Sequence, residues 1–234
     1  MKKYQRLAEA HAPDGTRLEL FRHDSEYVIR ADGAELMSTR RHHSEELLSE
    51  LACEHVRERP GACVLIGGLG LGFTLRAALR SLPADAKVVV AEIVPAVVVW
   101  NRNPEFQLAS ESLRDPRVEI REQDVAAVLD SSRDEFDAIM LDVDNGANAL
   151  VTVDNSRLYQ NAGIRSAVRA IRRDGCVAYW SADEDPAFER ALRGAALTVR
   201  TVKARAHVTT GPWHMLYLAH VARGTPPPIA DAPA

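Results

Sequence analysis

The chain has few cysteines, few aromatics and no long apolar run, and each shortage closes off a class of protein. Only three cysteines, Cys53, Cys63 and Cys176, occur in 234 residues. An odd number at wide spacing argues against a disulfide framework and against paired zinc ligands, so no metal site is expected. Cys63 and Cys176 sit in apolar, strand-like runs, where a small buried thiol is ordinary. Nothing approaches 18 consecutive apolar residues, so no membrane-spanning helix is expected. The opening Met1-Lys2-Lys3-Tyr4-Gln5 lacks the apolar stretch of a signal peptide, and a cytoplasmic location is expected. Charge is nearly balanced, 29 basic against 33 acidic residues. Such a chain has no broad attraction for phosphate backbones, so neither nucleic acid nor a membrane is expected as partner.

What is present is an ordinary globular composition, 46% hydrophobic and 26% charged, long enough for one substantial core with a small appendage. Residues 1–40 carry short alternating segments. Thr16 to Phe21 and Glu26 to Ala31 read as strands between the turn formers Pro13-Asp14-Gly15, His23-Asp24-Ser25 and Asp32-Gly33, which predicts a hairpin or meander. Ser44 reads as the N-cap of a helix that carries Leu47, Leu48, Leu51 and Val56 on one face and is closed by Pro60-Gly61.

From residue 41 to residue 223 the pattern is that of one α/β domain. Strands are predicted at Cys63–Ile66, Val88–Ala91, Val118–Arg121, Ala138–Leu141, Val177–Trp180, Leu197–Lys203 and Met215–His220. Helices are predicted at Thr74–Leu82, Pro95–Arg102, Val125–Leu129, Arg157–Arg173 and Pro186–Gly194. Strict alternation implies a doubly wound, mostly parallel seven-stranded sheet of the Rossmann-like, methyltransferase type, with helices on both faces. The last two strands have no helix between them and are expected to form an antiparallel hairpin at one edge. Residues 224–234 are rich in Pro and Ala and are expected to be disordered.

The glycine turn Gly67-Gly68-Leu69-Gly70-Leu71-Gly72 lies between the first predicted strand of that domain and its following helix. A tight turn alone would account for two of its four glycines. The added context, a helix N-terminus and an acid, Glu92, twenty residues after Gly72, points to a nucleoside-containing ligand. A dinucleotide fingerprint needs glycine three residues beyond Gly70, and that position holds Phe73. The tighter spacing is that used for S-adenosylmethionine-type ligands.

Three acids then fall at successive strand tips. Glu92 either caps the next helix or accepts from the two ribose hydroxyls, at about 1.5–3 kcal/mol for each charge-assisted bond; Ile93 beside it is placed to cover the sugar or base. Asp124, with Val125 behind it, either caps a helix or reads the adenine amino group. Asp142 and Asp144 open a loop at the carboxyl edge of the sheet and suit a cationic partner, although Asp142 could equally cap a turn. In His42-His43-Ser44-Glu45-Glu46 the adjacent histidines point to different helix faces, so the run reads as a capped helix start rather than a zinc site. Trp100, Trp180 and Trp213 read as core residues, Trp180 being the one that ends a strand on the ligand edge. The arginines between 165 and 205 read as a solvated face.

Together these residues resemble the spermidine synthase (polyamine aminopropyltransferase) family over about residues 15 to 195. The likeness lies in Gly67-Gly68 with Thr74-Leu75-Arg76, in Val90-Ala91-Glu92-Ile93-Val94-Pro95 and in Asp115-Pro116-Arg117-Val118. It continues in Phe136-Asp137-Ala138-Ile139-Met140-Leu141-Asp142 and Leu158-Tyr159. The resemblance implies that Glu92 holds ribose, Asp124 reads adenine and Asp142 helps deprotonate an attacking amine. Three departures accompany it. The family's acid inside the glycine turn is missing, and Leu69 and Leu71 stand in that turn. The family's Asp-Ser-Ser/Thr-Asp-Pro loop is replaced by Asp142-Val143-Asp144-Asn145-Gly146. The tyrosine stretch that grips the polyamine has His43-Ser44-Glu45 as its nearest counterpart.

The expectation is therefore a transferase that alkylates a small amine or hydroxyl acceptor from S-adenosylmethionine or its decarboxylated form, with a homodimer as a possible assembly. Because the ends that define aminopropyl transfer are altered, methyl transfer is favoured narrowly. Aminopropyl transfer is the alternative, and a non-catalytic nucleoside-binding module is the third reading.

Overall fold

In a computed structural model, residues 4–143 and 153–221 are described. Asp144, the rest of the loop after Val143 as far as residue 152, and the tail from residue 222 lie outside the described residues.

The chain opens with four antiparallel strands in sequential order: β1 (Gln5–His11), β2 (Arg17–His23), β3 (Glu26–Ala31) and β4 (Ala34–Ser38). The expected hairpin or meander is thus a full four-stranded sheet. Its outer strands β1 and β4 escape sequence reading because only β2 and β3 carry runs of buried residues.

Next come α1 (His43–Ala52), β5 (Cys63–Gly67), α2 (Phe73–Ser81), β6 (Lys87–Ala91), α3 (Pro95–Arg102), β7 (Val118–Arg121), α4 (Val125–Ser131) and β8 (Phe136–Leu141). The described chain ends with α5 (Asn161–Ala170), β9 (Ile171–Ser181), α6 (Pro186–Gly194), β10 (Leu197–Arg205) and β11 (Trp213–Val221). The seven strands of this part lie in the order β10-β11-β9-β8-β5-β6-β7. Pairs from β9 through to β7 are parallel, while β11 runs antiparallel to both β9 and β10. This is the predicted doubly wound sheet with its edge hairpin.

Strand alternation divides the core in two. On β5, Val64 and Ile66 face one cluster with residues of α1, α2 and α3, whereas Cys63 and Leu65 face another with residues of α4, α5 and α6. Leu18, Leu20 and Ile29 of the small sheet join the first cluster, so the N-terminal sheet shares a core with the large one. No helix among the described residues is long and apolar enough to cross a membrane.

Three local expectations are corrected. Ser44 is not the N-cap of α1: that place belongs to His42, without a side-chain cap, and Ser44 is 2% exposed with its hydroxyl engaged elsewhere. The helix expected at Arg157–Arg173 is shorter. A 3-10 segment covers Val153–Tyr159, Gln160 is extended, and Ile171 already pairs with Phe136 as the first residue of β9. Third, Trp213 is not core; it is half exposed, with the Arg205 guanidinium 4.2 Å from its ring centre.

At the amino edge of the parallel strands a fully buried carboxylate ties the elements together. Asp137 Oδ2 accepts from the Cys63 N–H at 2.8 Å and from Arg172 Nη1 at 2.7 Å, and Arg59 Nη1 lies 3.1 Å from Oδ1. Its backbone carbonyl accepts from His55 Nε2 at 3.0 Å. Asp137→Ala would strand the buried Cys63 N–H while both arginines can turn to water. We expect a loss of about 2–3 kcal/mol in urea unfolding; a loss under about 0.5 kcal/mol would show that water replaces the carboxylate.

Candidate active site

Topology fixes where a ligand can sit. The chain leaves β5 towards β6 and β7, then returns on the other side of β5 to lay down β8, so the carboxyl ends of β5 and β8 flank the switch point where open α/β sheets bind ligands. Gly67 ends one of these strands and Asp142 follows the other, and the Asp142 N–H donates to the Gly67 carbonyl at 3.1 Å.

The glycine turn is held from below and from the side. Gly68 has φ +87°, and a Cβ there would stand 2.6 Å from the Asp142 carbonyl oxygen, so only glycine lets the β5 and β8 tips come this close. Gly72 has φ +80° at the N-cap of α2, and a Cβ would strike Ala109 at 2.4 Å. Leu69 and Leu71 are 4% and 1% exposed and point into the core, so neither fills the crevice. Instead a side chain from the small sheet does: a Cβ on Gly70 would meet Met37 Sδ at 2.8 Å. Asn101, on α3, donates to the Gly70 carbonyl at 2.8 Å and fixes the crest of the turn.

Above this turn lies a cavity of about 80 Å³. Its lining includes Gly68, Gly70, Glu92, Ile93, Asp124, Val125 and Asp142, and β4 covers it with Leu36 and Met37. The three strand-tip acids therefore do converge. Gly67 and Gly72 do not line the cavity; the space beyond Gly67 is filled by Val125 and Leu141, so these two glycines serve packing.

Each acid is positioned by a different device. Glu92, 7% exposed, accepts from the Leu69 N–H at 2.9 Å and the Val94 N–H at 2.8 Å, one on each oxygen. It thus clasps the glycine turn to the start of α3, with the backbone N–H groups of Gly70 and Ile93 also directed at it. Burial raises its pKa, against which the backbone donors work. Asp124 is the N-cap of α4, accepting from Ala126 N–H at 2.8 Å, and its other oxygen pairs with Arg157. The capping alternative is thus realised while the residue also lines the cavity. Asp142 accepts from the Thr74 hydroxyl at 2.6 Å, and no cation is paired with it among the described residues. Burial raises its pKa to about 6, with the Thr74 hydrogen bond opposing the rise.

A second chamber, of about 170 Å³, opens on the far side of Asp142. Leu36, Met37 and Asp142 line both spaces; the second also has Glu35, Arg41, Glu45, Trp180 and His214. Sequence reading took Glu45 as a charge favouring a helix start. In the structure its carboxyl lines this chamber, pushed well above the ordinary range by burial and by repulsion from Asp142 and Glu46. The neighbouring His42 instead stacks on Phe73 and pairs with Glu46, away from both cavities. Asn101 and His214 gave no signal in sequence, and Thr74 only as part of the resemblance, because their roles depend on which strand tip they meet. Trp180, singled out at its strand end, does line the chamber.

No protein-family profile matches the chain. Two polyamine aminopropyltransferases, from Thermoanaerobacter sp. strain X514 and from Thermoanaerobacter pseudethanolicus, are each 29% identical to it over 120 residues. That stretch is 51% of this chain but only 40% of the length of each relative. Among solved structures, spermidine synthase from Thermotoga maritima superposes with a TM-score of 0.70 at 21% identity, covering 93% of this chain and 74% of that one. A spermidine synthase in complex with the transition-state analogue AdoDATO gives 0.69 at 21% identity, over 93% and 73%. A probable spermidine synthase from Corynebacterium glutamicum gives 0.65 at 14% identity, over 96% and 82%. In fold this chain is similar to the spermidine synthases, and across half its sequence it is similar to the polyamine aminopropyltransferases.

Proposed function

We propose that the protein transfers an aminopropyl group from decarboxylated S-adenosylmethionine to a small amine. The observation that carries this reading is the pair of spaces that share Asp142: a nucleoside cavity over the glycine turn and an acceptor chamber beyond it. The charged side chains that line the first among the described residues are Glu92, Asp124 and Asp142, all acids, and the arginine beside them, Arg157, is paired with Asp124. Intact S-adenosylmethionine would bring a carboxylate into a setting of three acids whose neighbouring arginine is already engaged by Asp124; the decarboxylated form brings only positive charge. Methyl transfer, favoured from sequence, therefore gives way to aminopropyl transfer, and the names of the sequence relatives support the same choice.

In this reading Glu92 accepts from the ribose hydroxyls, Ile93 and Val125 cover the purine, and Asp124 faces it from the α4 cap. Entry requires Leu36 and Met37 to move, since about 80 Å³ is far too little for a nucleoside. Met37 is suited to this, having an unbranched side chain with three rotatable bonds. The bound sulfonium supplies an electrophilic carbon and a neutral thioether as leaving group. Asp142, held by Thr74, takes a proton from the acceptor ammonium and leaves a free nitrogen lone pair. That nitrogen forms the new C–N bond as the C–S bond breaks, and the C–S electron pair passes to sulfur. Alignment of nitrogen and carbon across the Leu36–Met37–Asp142 partition supplies much of the rate, since orientation of this kind is worth roughly 7–11 kcal/mol.

Calorimetry should show the decarboxylated ligand binding at least tenfold more tightly than S-adenosylmethionine, about 1.4 kcal/mol; the reverse order would restore methyl transfer. Asp142→Asn should lower turnover by about 100-fold or more while donor affinity stays within a few-fold. Full activity in this variant would place the base elsewhere, and absence of turnover with every amine in the unaltered protein would leave only a binding module.

The acid limb of kcat/KM against pH should lie near 6, because Asp142 works as a base only when ionised. Removing the Thr74 hydroxyl takes away a bond to the carboxylate form, so Thr74→Val should move that limb to higher pH. A limb that stays put or falls would place the titrating base elsewhere.

A further inference from the structure

The acceptor chamber is chemically two-sided. Glu45 and Asp142 interact with each other, and Glu45 has no hydrogen-bond or ion-pair partner among the described residues although it is partly buried in the chamber wall. Two carboxyls with no ion-pair partner among the described residues invite a cation, since the arginine of the chamber, Arg41, is taken by Glu35. The wall formed by Trp180 and His214 is of the other kind. Ser44, on α1, has its hydroxyl 3.1 Å from Trp180 Nε1 and 2.9 Å from His214 Nδ1.

An indole N–H can only donate, so Ser44 Oγ accepts from Trp180. Its own proton, buried at 2% exposure, is satisfied by donation to His214 Nδ1. That sets the neutral ring in the Nε2–H tautomer, and burial, with Arg41 nearby, keeps His214 from charging. Arg41 brings further donors to the same lining, and the one acid there besides Glu45 and Asp142, Glu35, is already paired with Arg41. A diamine would place its second ammonium against donors. An oxygen would find partners.

Resting on the transferase reading above, we propose that the acceptor is a small amine carrying an oxygen at its far end, as in an amino alcohol, whose ammonium is clamped by Glu45 and Asp142 and whose oxygen accepts from His214 Nε2–H. Glu45 is then an acceptor-binding residue, and Ser44 is a positioning residue that acts through His214 and Trp180.

The test is calorimetry on the full chain saturated with 5′-deoxy-5′-methylthioadenosine, titrated with 4-aminobutan-1-ol and with 1,4-diaminobutane. The amino alcohol should bind at least fivefold more tightly. Glu45→Gln should weaken both amines at least tenfold while nucleoside affinity and melting temperature hold, since it removes a buried like charge rather than a contact. His214→Phe, which keeps a ring beside Trp180, should abolish the preference for the alcohol and leave the nucleoside affinity unchanged. Equal or tighter binding of the diamine overturns the proposed acceptor class, and unchanged amine affinity in Glu45→Gln overturns the clamp. Absence of nucleoside binding would count against the transferase reading itself; the same amine titrations without nucleoside would still decide the chamber.

Discussion

The structure turns on carboxyl groups buried at the ligand edge of the sheet without enough positive charge to balance them. Glu92, Asp142 and Glu45 are all raised above their ordinary values, in each case chiefly by loss of water. A carboxyl whose folded value is raised favours the fold most at low pH and costs stability as pH rises through that value. At neutral pH this edge is therefore strained electrostatically, and what relieves it is a cation. A sulfonium and an ammonium are two such cations, and a reaction that joins them across Asp142 uses the imbalance twice.

The opposite edge of the same sheet shows how the chain treats an acid that is purely structural. Asp137 is completely buried, yet it receives a backbone N–H and two guanidinium groups. Asp137 is the second residue of β8 and Asp142 follows the last, so one strand carries a carboxylate paired with two cations at one end and one with no cation among the described residues at the other. Buried acids in need of partners mark function more often than stability. The contrast within one strand is a stronger pointer than either residue alone, because composition and packing are otherwise shared.

Much of this was legible in sequence because it is periodic or local. Alternating strands and helices gave the layered sheet, and the glycine spacing with an acid at each strand tip gave the crevice. What sequence could not supply were long-range registers. Ser44 looks like a helix cap because serine before two glutamates is a capping pattern; only the meeting of α1 with β9 and β11 turns its hydroxyl to Trp180 and His214 instead. Asp124 shows that two readings of one residue need not compete, since its carboxylate caps α4 and also faces the cavity. The helix drawn through Arg157–Arg173 overran because Arg165, Arg169 and Arg173 keep a helical spacing, and the pairing of Ile171 with Phe136 decides for the strand.

The N-terminal sheet gains a definite meaning from Met37. It was read as an appendage, yet β4 lays Leu36 and Met37 across both cavities, and the Met37 sulfur occupies the place a side chain at position 70 would need. Gly70 and Met37 are therefore one decision made at two distant points of the sequence. A carboxylate at position 70 would collide with the thioether, and a smaller residue at 37 would open the two chambers into one. With methionine there, the wall between the two cavities is apolar, and Asp142 stands at its edge. In the aminopropyl-transfer reading, the charge that a turn without an acid lacks is supplied by Asp142 at the neighbouring strand tip and by Glu45 in the first turn of α1.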